Sequence, residues 1–384
     1  MAATVKRGQI TTVTDTTNIR LDVSDAIDQL SPEDTPLITL VGKSSLHSPC
    51  EQVKHEWLED ELRPRSGTLA AAYSVNQGVL TLTAGEGKYL VPDDLLLVDD
   101  MVFRITSGVP SGDVVTVTLI RGTDAAAASG VAWRKIAHAA SEGGDARTDV
   151  AKTVVVKPYN YTQILKDWAH ISGTMAVIKR YGYVSERAYQ EAKVIKQLMI
   201  DFEHNLLYGA RSYEDGPPRR SSAGGLLEYV FLPGVSSAWS TVRNLAGAAL
   251  VESDLQLVLR EMWSLGGNPD CIMVNGYNKS RITGWATPRI RTSQSTSRGG
   301  GTITEYESDF GVLEIYKNRW LRGGDIVILT KSELGVGPLT GRQLSSRELP
   351  VTIDGTRYEV MGEYTMEVHK PTLAFGWLYN SATA

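Results

Sequence analysis

The sequence predicts an α+β fold, and three stretches carry that prediction. Residues 78–136 hold five short β-rich runs separated by turn residues. Residues 180–209 hold the strongest helical periodicity in the chain. Residues 357–369, "RYEVMGEYTMEVH", alternate as one long strand does.

Residues 1–20 are Thr-rich and nearly free of large apolar groups, so they read as an extended arm that lies on another surface. In "LDVSDAIDQLSPEDTPLITLVGKSS", residues 21–45, Asp22, Asp25 and Asp28 recur three apart beside the apolar anchors Leu21, Val23, Ile27 and Leu30. That spacing predicts a short acidic helix, halted by Pro32 and Pro36 and followed by the apolar run Leu37–Val41. "CEQVKHEWLEDEL", residues 50–62, sets Val53, His55 and Trp57 against Lys54 and Glu56, a pattern that suits an extended hairpin arm. "GVLTLT", "LLLV", "MVFRIT", "DVVTVTLI" and "VAWRKI" then predict a small all-β barrel or sandwich, inserted between loop-like flanks. "VAKTVVVKPYNYTQILKD" is the returning strand that mirrors residues 51–62.

In the helix, Tyr181, Val184, Ala188, Ala192, Ile195, Met199, Phe202 and Leu206 recur every three or four residues. Arg187 and Glu191 face each other at i, i+4, and Gly209 is expected to close the helix in the left-handed region. The whole run would measure roughly 40 Å. The loop "EDGPPRRSSAGG" follows. Ser253–Gln256 reads as a capping box for the helix "DLQLVLREMWSL", which Gly266-Gly267 ends. The strand "CIMVN", the short helix "NKSRITGW", the polar loop "RTSQSTSRGGG" and the strands "GVLEIYKNRW" and "DIVILT" complete an α/β unit. In the last strand Tyr358, Val360, Gly362, Tyr364, Met366 and Val368 make an apolar face, while Glu359, Glu363, Thr365, Glu367 and His369 make an acidic one. Asp354-Gly355 turns the chain into it.

The 384 residues allow two or three domains or one elaborated one, and 42% hydrophobic with 22% charged residues is a globular composition. A net charge of −5 argues against a chain whose main work is gripping phosphate backbone. Cys50 and Cys271 form no ligand or disulfide pattern and are expected to stay reduced. "MAATVKRGQITT" lacks the apolar core of a signal peptide and no segment reaches about 18 continuous apolar residues, so no membrane partner is expected.

Motifs for chemistry are missing. Asp309-Phe310-Gly311 lacks every other kinase element, and "GEG" at 85–87 precedes no phosphate-binding helix. The six histidines form neither H-E-x-x-H nor a Cys/His ligand spacing, and no G-x-S-x-G elbow occurs. Asp93-Asp94 and Asp99-Asp100 read as solvated turn residues rather than a cation site. "PPRR" at 217–220 and Arg289, Arg291 and Arg298 lack interleaved aromatics, so inter-subunit ion pairs are expected before nucleic-acid contacts. The expectation is a structural protein: no catalytic residue, no cofactor, no metal, no enzyme activity.

The element order and four phrases, "LSPEDTPLITLVGK", "DLLLVDDMVFRIT", "SDFGVLEIYKNRW" and "GEYTMEVHKP", together resemble the HK97-fold major capsid proteins of tailed double-stranded DNA phages. The resemblance spans almost the whole chain. It implies an HK97-like capsid fold with an N-terminal arm at 1–50 and an E-loop at 51–165 carrying the β insertion at about 76–140. The spine helix and first part of the peripheral (P) domain would be 166–235, the axial (A) domain 236–348, and the P-domain return strand and C-terminus 349–384.

The resemblance further implies a major capsid protein that self-assembles into hexamers and pentamers of an icosahedral head enclosing phage double-stranded DNA. Such a protein is assembled in the host cytoplasm and ends in the virion capsid; an encapsulin-type nanocompartment shell subunit is the alternative. Implied partners are further copies of the chain, a separate scaffolding protein (the arm being too short for a fused scaffold domain), a portal protein, a decoration protein and non-specifically contacted DNA. With arm and E-loop expected to lack a core of their own, Leu37, Ile38, Leu40, Val41, Val53 and Trp57 are the expected cross-subunit anchors, and Arg63 and Arg65 further contacts. Each buried apolar anchor is worth about 1.5–3 kcal/mol.

Overall fold

The computed structural model describes residues 34–42, 49–108, 112–143, 153–178, 185–230, 241–285, 290–293, 302–350 and 354–382. The acidic helix expected at 21–31 and Tyr181, Val184, Arg289 and Arg298 lie outside the described residues, as does the side chain of Arg291. The chain forms two compact units, one of Leu58–Pro158 and the other of the chain on either side of it.

All five predicted runs of the first unit are strands, joined by a sixth. Their order in space is Ser66–Thr68, Ala132–His138, Asp94–Val98, Met101–Gly108, Val114–Arg121 and Val79–Thr81, each antiparallel to its neighbour. Period-2 alternation sends Leu80, Leu96, Phe103, Ile105, Val115 and Trp133 into one core. The turn at 85–87 is fixed by carboxylates: Asp113 accepts from the N–H of Gly85 at 2.9 Å and of Gly87 at 3.2 Å, and Glu86 accepts from the Trp133 indole at 3.0 Å. Gly87 is required there, since a Cβ would lie 2.3 Å from the Gly112 carbonyl. Asp93 and Asp99 are turn residues with φ of 67° and 50°, and Asp94 is buried against Lys135 and His138.

Two large sheets and two two-stranded ribbons build the second unit. The seven-stranded one runs Val242–Asn244, Phe375–Tyr379, Ile326–Leu329, Cys271–Val274, Gly311–Lys317, Thr302–Ser308, Ile290–Ser293. Cys271–Val274 and Ile326–Leu329 are buried at every residue, as their continuous apolar sequence requires of inner strands. The helix Glu252–Ser264 packs Leu255, Val258, Leu259 and Met262 into this core. Its start corrects the capping-box expectation. Val251 is the cap residue, no side chain caps it, and Ser253 falls inside the helix, where Glu252 and Asp254 supply the favourable first-turn charge. Gly266 does end it, at φ 97°.

The other sheet centres on Thr356–Val368, paired antiparallel with Gln163–Ile171, Leu334–Pro338 and Ser345–Leu349. The long helix Glu186–Tyr208 covers one face. Ser185 caps it by accepting from the Ala188 N–H at 3.4 Å. Val194, Leu198, Phe202 and Leu206, four apart, form its buried stripe, which meets Val360 and Tyr364. Its 23 residues measure about 34 Å.

Gly209 follows the helix but is not left-handed: φ is −55° and ψ 141°. Glycine is needed for space, because a Cβ would approach the Ala223 carbonyl and the Asn205 side chain to 2.5 Å. Thr356–Val368 brings a second correction. Both its faces are buried, so Glu359, Glu363 and Glu367 lie within the fold as well as the apolar row.

Candidate assembly surface

The root of the arm is the helix Pro36–Val41. Proline at its first position and the Leu37, Leu40, Val41 spacing favour one helical turn, but six residues cannot hold a helix alone. The long helix supplies what is missing. Glu203, fully buried, accepts the N–H groups of Leu37 and Ile38, both at 2.9 Å, and the Asn318 amide at 2.7 Å. Burial pushes the Glu203 carboxyl above its ordinary range, against the pull of those hydrogen bonds. Sequence reasoning missed Glu203. Its only signal was an acid on the apolar side of the helix, near Met199 and Leu206.

Of the expected anchors, Leu37, Leu40, Val41 and Trp57 are buried in the core of their own chain. Ile38 and Val53 are half-buried, while Arg63 and Arg65 are exposed. Trp57 stacks on His369 with ring centroids 5.8 Å apart and meets Tyr229 at 6.3 Å.

Beside Trp57, the acidic row of Thr356–Val368 finds its counter-charges. Glu359 pairs with Arg347, and Glu363 with Arg342 while accepting from the Thr162 hydroxyl at 2.6 Å. Glu367 sits between His55 and His369. A hydrogen bond with Cys50, then the one with Glu367, raises His55 to about 10. Burial pushes Glu367 up, but hydrogen bonds from His369 and His55 prevail and hold it at about 2. The cluster is an ion pair near neutral pH. Among the described residues no three His, Cys, Asp or Glu side chains are arranged to hold a metal ion, and no helix is long and apolar enough to cross a membrane.

What remains for a partner is apolar surface on extended chain. In the unit of Leu58–Pro158, Glu59 and Val156 exchange backbone hydrogen bonds of 3.0 and 2.8 Å, a two-stranded stem. Leu58, Leu62, Val154, Val155 and Val156 on it are all exposed, Leu62 at 94% and Val154 at 81%. In the other unit Lys54–Glu56 pairs with Tyr159–Tyr161, and Gln163–Ile171 shows Ile164 and Trp168 to solvent, Trp168 at 64%. Apolar side chains clustered on a ribbon with no core of its own mark an interaction surface. The arrangement can bury grease on another molecule; it offers no reacting group.

Comparison with known proteins agrees with that geometry. Residues 9–382 match the family model of the SU10 major capsid protein. Among solved structures, the cyanophage A-1(L) capsid asymmetric unit is similar over 98% of this chain and 100% of that one, at 9% identity and TM-score 0.57. A structure of Microbacterium phage Oxtober96 is similar over 97% and 99%, at 8% identity and TM-score 0.53. The capsid of an empty GTA particle is similar over 95% and 96%, at 10% identity and TM-score 0.53. No curated protein matches the sequence.

Proposed function

The chain belongs to the SU10 major capsid protein family, and from that premise we propose that its copies form hexamers and pentamers that close an icosahedral head around phage double-stranded DNA. It is a structural subunit of HK97-like fold in the virion capsid, which is assembled from many copies of it. The family match favours this over the encapsulin-type alternative.

In this reading the unit of Leu58–Pro158 belongs to the E-loop with its β insertion, residues 1–50 are the arm, and the long helix is the spine in the first part of the peripheral domain. The observation that carries it is the exposed stem: Leu58, Leu62, Val154, Val155 and Val156 sit on one ribbon and need a second copy to cover them. Ile38 and Val53, half-buried, and Arg63 and Arg65, exposed, are further candidate contacts with neighbouring copies. Burying five such side chains at about 1.5–3 kcal/mol each contributes about 8–15 kcal/mol, the same order as the entropy lost on association. The mildly acidic balance, −5 per chain, keeps a shell from adsorbing the DNA packed inside it. Assembly takes place in the host cytoplasm with a separate scaffolding protein and a portal protein, and a decoration protein is a further candidate partner. The subunit's work is structural and not catalytic.

Electron microscopy of the protein expressed together with its scaffolding protein tests the reading. Closed shells of uniform size are expected, filled with DNA when isolated from infected cells. A protein cargo inside the shells points to the encapsulin alternative, and a chain that stays monomeric at high concentration contradicts both.

A further inference from the structure

The six-stranded sheet of the Leu58–Pro158 unit has a second face. Leu96, Phe103 and Trp133 turn into its core, so the residues that alternate with them, Leu95, Leu97, Val102, Arg104 and Arg134, turn outward. The register sets these side by side. Arg134 lies opposite Leu97, Leu97 opposite Val102 and Val102 opposite Arg121, while Arg104 lies opposite Leu95 in the next row. Leu95 and Leu97 are half-buried and the three arginines are exposed, so the face is an apolar floor between cations.

The charge on this face is unopposed. Across the strands Asp94–Val98, Met101–Gly108, Val114–Arg121 and Ala132–His138 the only acid is Asp94, which is fully buried. Lys135 is drawn to Asp94 and away from the face. Among the described residues no carboxylate pairs with Arg104, Arg121 or Arg134, and that includes Asp99 and Asp100 of the adjoining turn. Arginine set around apolar side chains, without lysine, is the composition of the centre of a protein interface.

The chain itself carries a segment of matching chemistry. Glu59-Asp60-Glu61 is its one run of three acids, with Leu58 and Leu62 at the two ends. Asp60, Glu61 and both leucines are exposed. The segment spans about 13 Å from Leu58 to Leu62, and three strand spacings place Arg121 about 14 Å from Arg134. Within one copy the two do not meet. The segment and the face are both in place in the subunit, and no ion pair joins Asp60 or Glu61 to these arginines.

We infer that this face receives the Leu58–Leu62 segment of a second copy, with Asp60 and Glu61 meeting the arginines and the two leucines lying on Leu95, Leu97 and Val102. The inference rests on the shell reading and names the surface that covers part of its exposed stem. A phosphate polymer would answer the arginines alone and leave the apolar floor uncovered.

Charge reversal tests the contact in shells formed with the scaffolding protein present. Arg104→Glu with Arg134→Glu, and separately Asp60→Arg with Glu61→Arg, should each lower the yield of shells by about tenfold or more at unchanged circular dichroism. Combining all four changes should restore the yield to within about twofold of the parent. A reversal that leaves the yield unchanged overturns the inference. So does a combination without rescue, which assigns the arginines to a separate acidic partner.

A parent that forms no shells counts against the shell reading instead, so the contact is also measured on the unassembled subunit. A fluorescent peptide of residues 57–63 should bind to it, and about tenfold more weakly to the milder variant Arg104→Gln with Arg134→Gln. Added salt should weaken the binding as well. No binding, or equal binding to both subunits, overturns the inference.

Discussion

Glu203 and Glu367 are single side chains that tie distant parts of the sequence together. Glu203 joins the arm's root to the long helix and, through Asn318, to the seven-stranded sheet. Replacing it by alanine leaves two N–H groups and an amide buried without their acceptor, at a cost of about 2–4 kcal/mol. Glu203→Gln keeps one acceptor oxygen and costs less. Denaturant midpoints of the unassembled subunit check both values. Because its carboxyl is raised, the folded state holds the Glu203 proton more tightly than the unfolded state. This group's contribution is fully present below its unfolded value and is lost as pH rises through its folded one.

The His55–Glu367 pair has a wider window. His55, raised to about 10, contributes fully below its ordinary value of 6.5 and loses that contribution as pH rises toward 10. Glu367, held at about 2, contributes fully above its ordinary value of 4.5 and loses that as pH falls toward 2. Subunit stability from the pair is therefore greatest between 4.5 and 6.5. In Glu367→Gln, thermal melts from pH 7 to 10 should show a smaller alkaline decline than the parent, with the part due to the Cys50 hydrogen bond left in place. An identical decline would show that the pair does not carry it.

Neither acid was legible as buried. Alternation in "RYEVMGEYTMEVH" sorts side chains onto two faces, but it cannot say that both faces are covered. The partners, His55 and His369 among them, reach Glu367 only through tertiary packing.

At the scale of elements, the sequence reads well where periodicity is long. The helix Glu186–Tyr208, the strand Thr356–Val368 and the five β runs at 78–136 repeat their pattern often enough to be recognised. It reads poorly where a short element is held from outside. Leu37–Val41 shows an apolar run, and only Glu203, 166 residues away from Leu37, makes it a helix.

Gly209 was legible as a helix end, but for the wrong reason. Its backbone suits any residue, and space is what excludes a side chain. Gly209→Ala should lower stability by about 1–3 kcal/mol through overpacking, measured as a lower melting temperature. A left-handed glycine would instead have predicted a gain from asparagine over alanine.

For the whole molecule, the element order was enough to reach the fold, because arm, excursion, long helix, α/β unit and return strand follow one another in few known ways. The contact residues were less accessible. Hydrophobicity marked Leu37, Leu40, Val41 and Trp57, yet all four are spent inside their own chain. The exposed residues proposed as contacts, Leu58, Leu62 and Val154–Val156, look no different in sequence from a core strand. Only their lack of covering chain separates them, and that is a property of the folded subunit.

A triple change at Leu62, Val154 and Val156 to serine tests the account most directly, because these side chains are exposed in the subunit and their loss should leave its fold intact. Sedimentation velocity of parent and variant, each expressed with the scaffolding protein and compared at matched circular dichroism and equal concentration, is the measurement. The account predicts that the parent runs as closed shells and the variant as small species. A variant that assembles into shells in the same yield as the parent would contradict it.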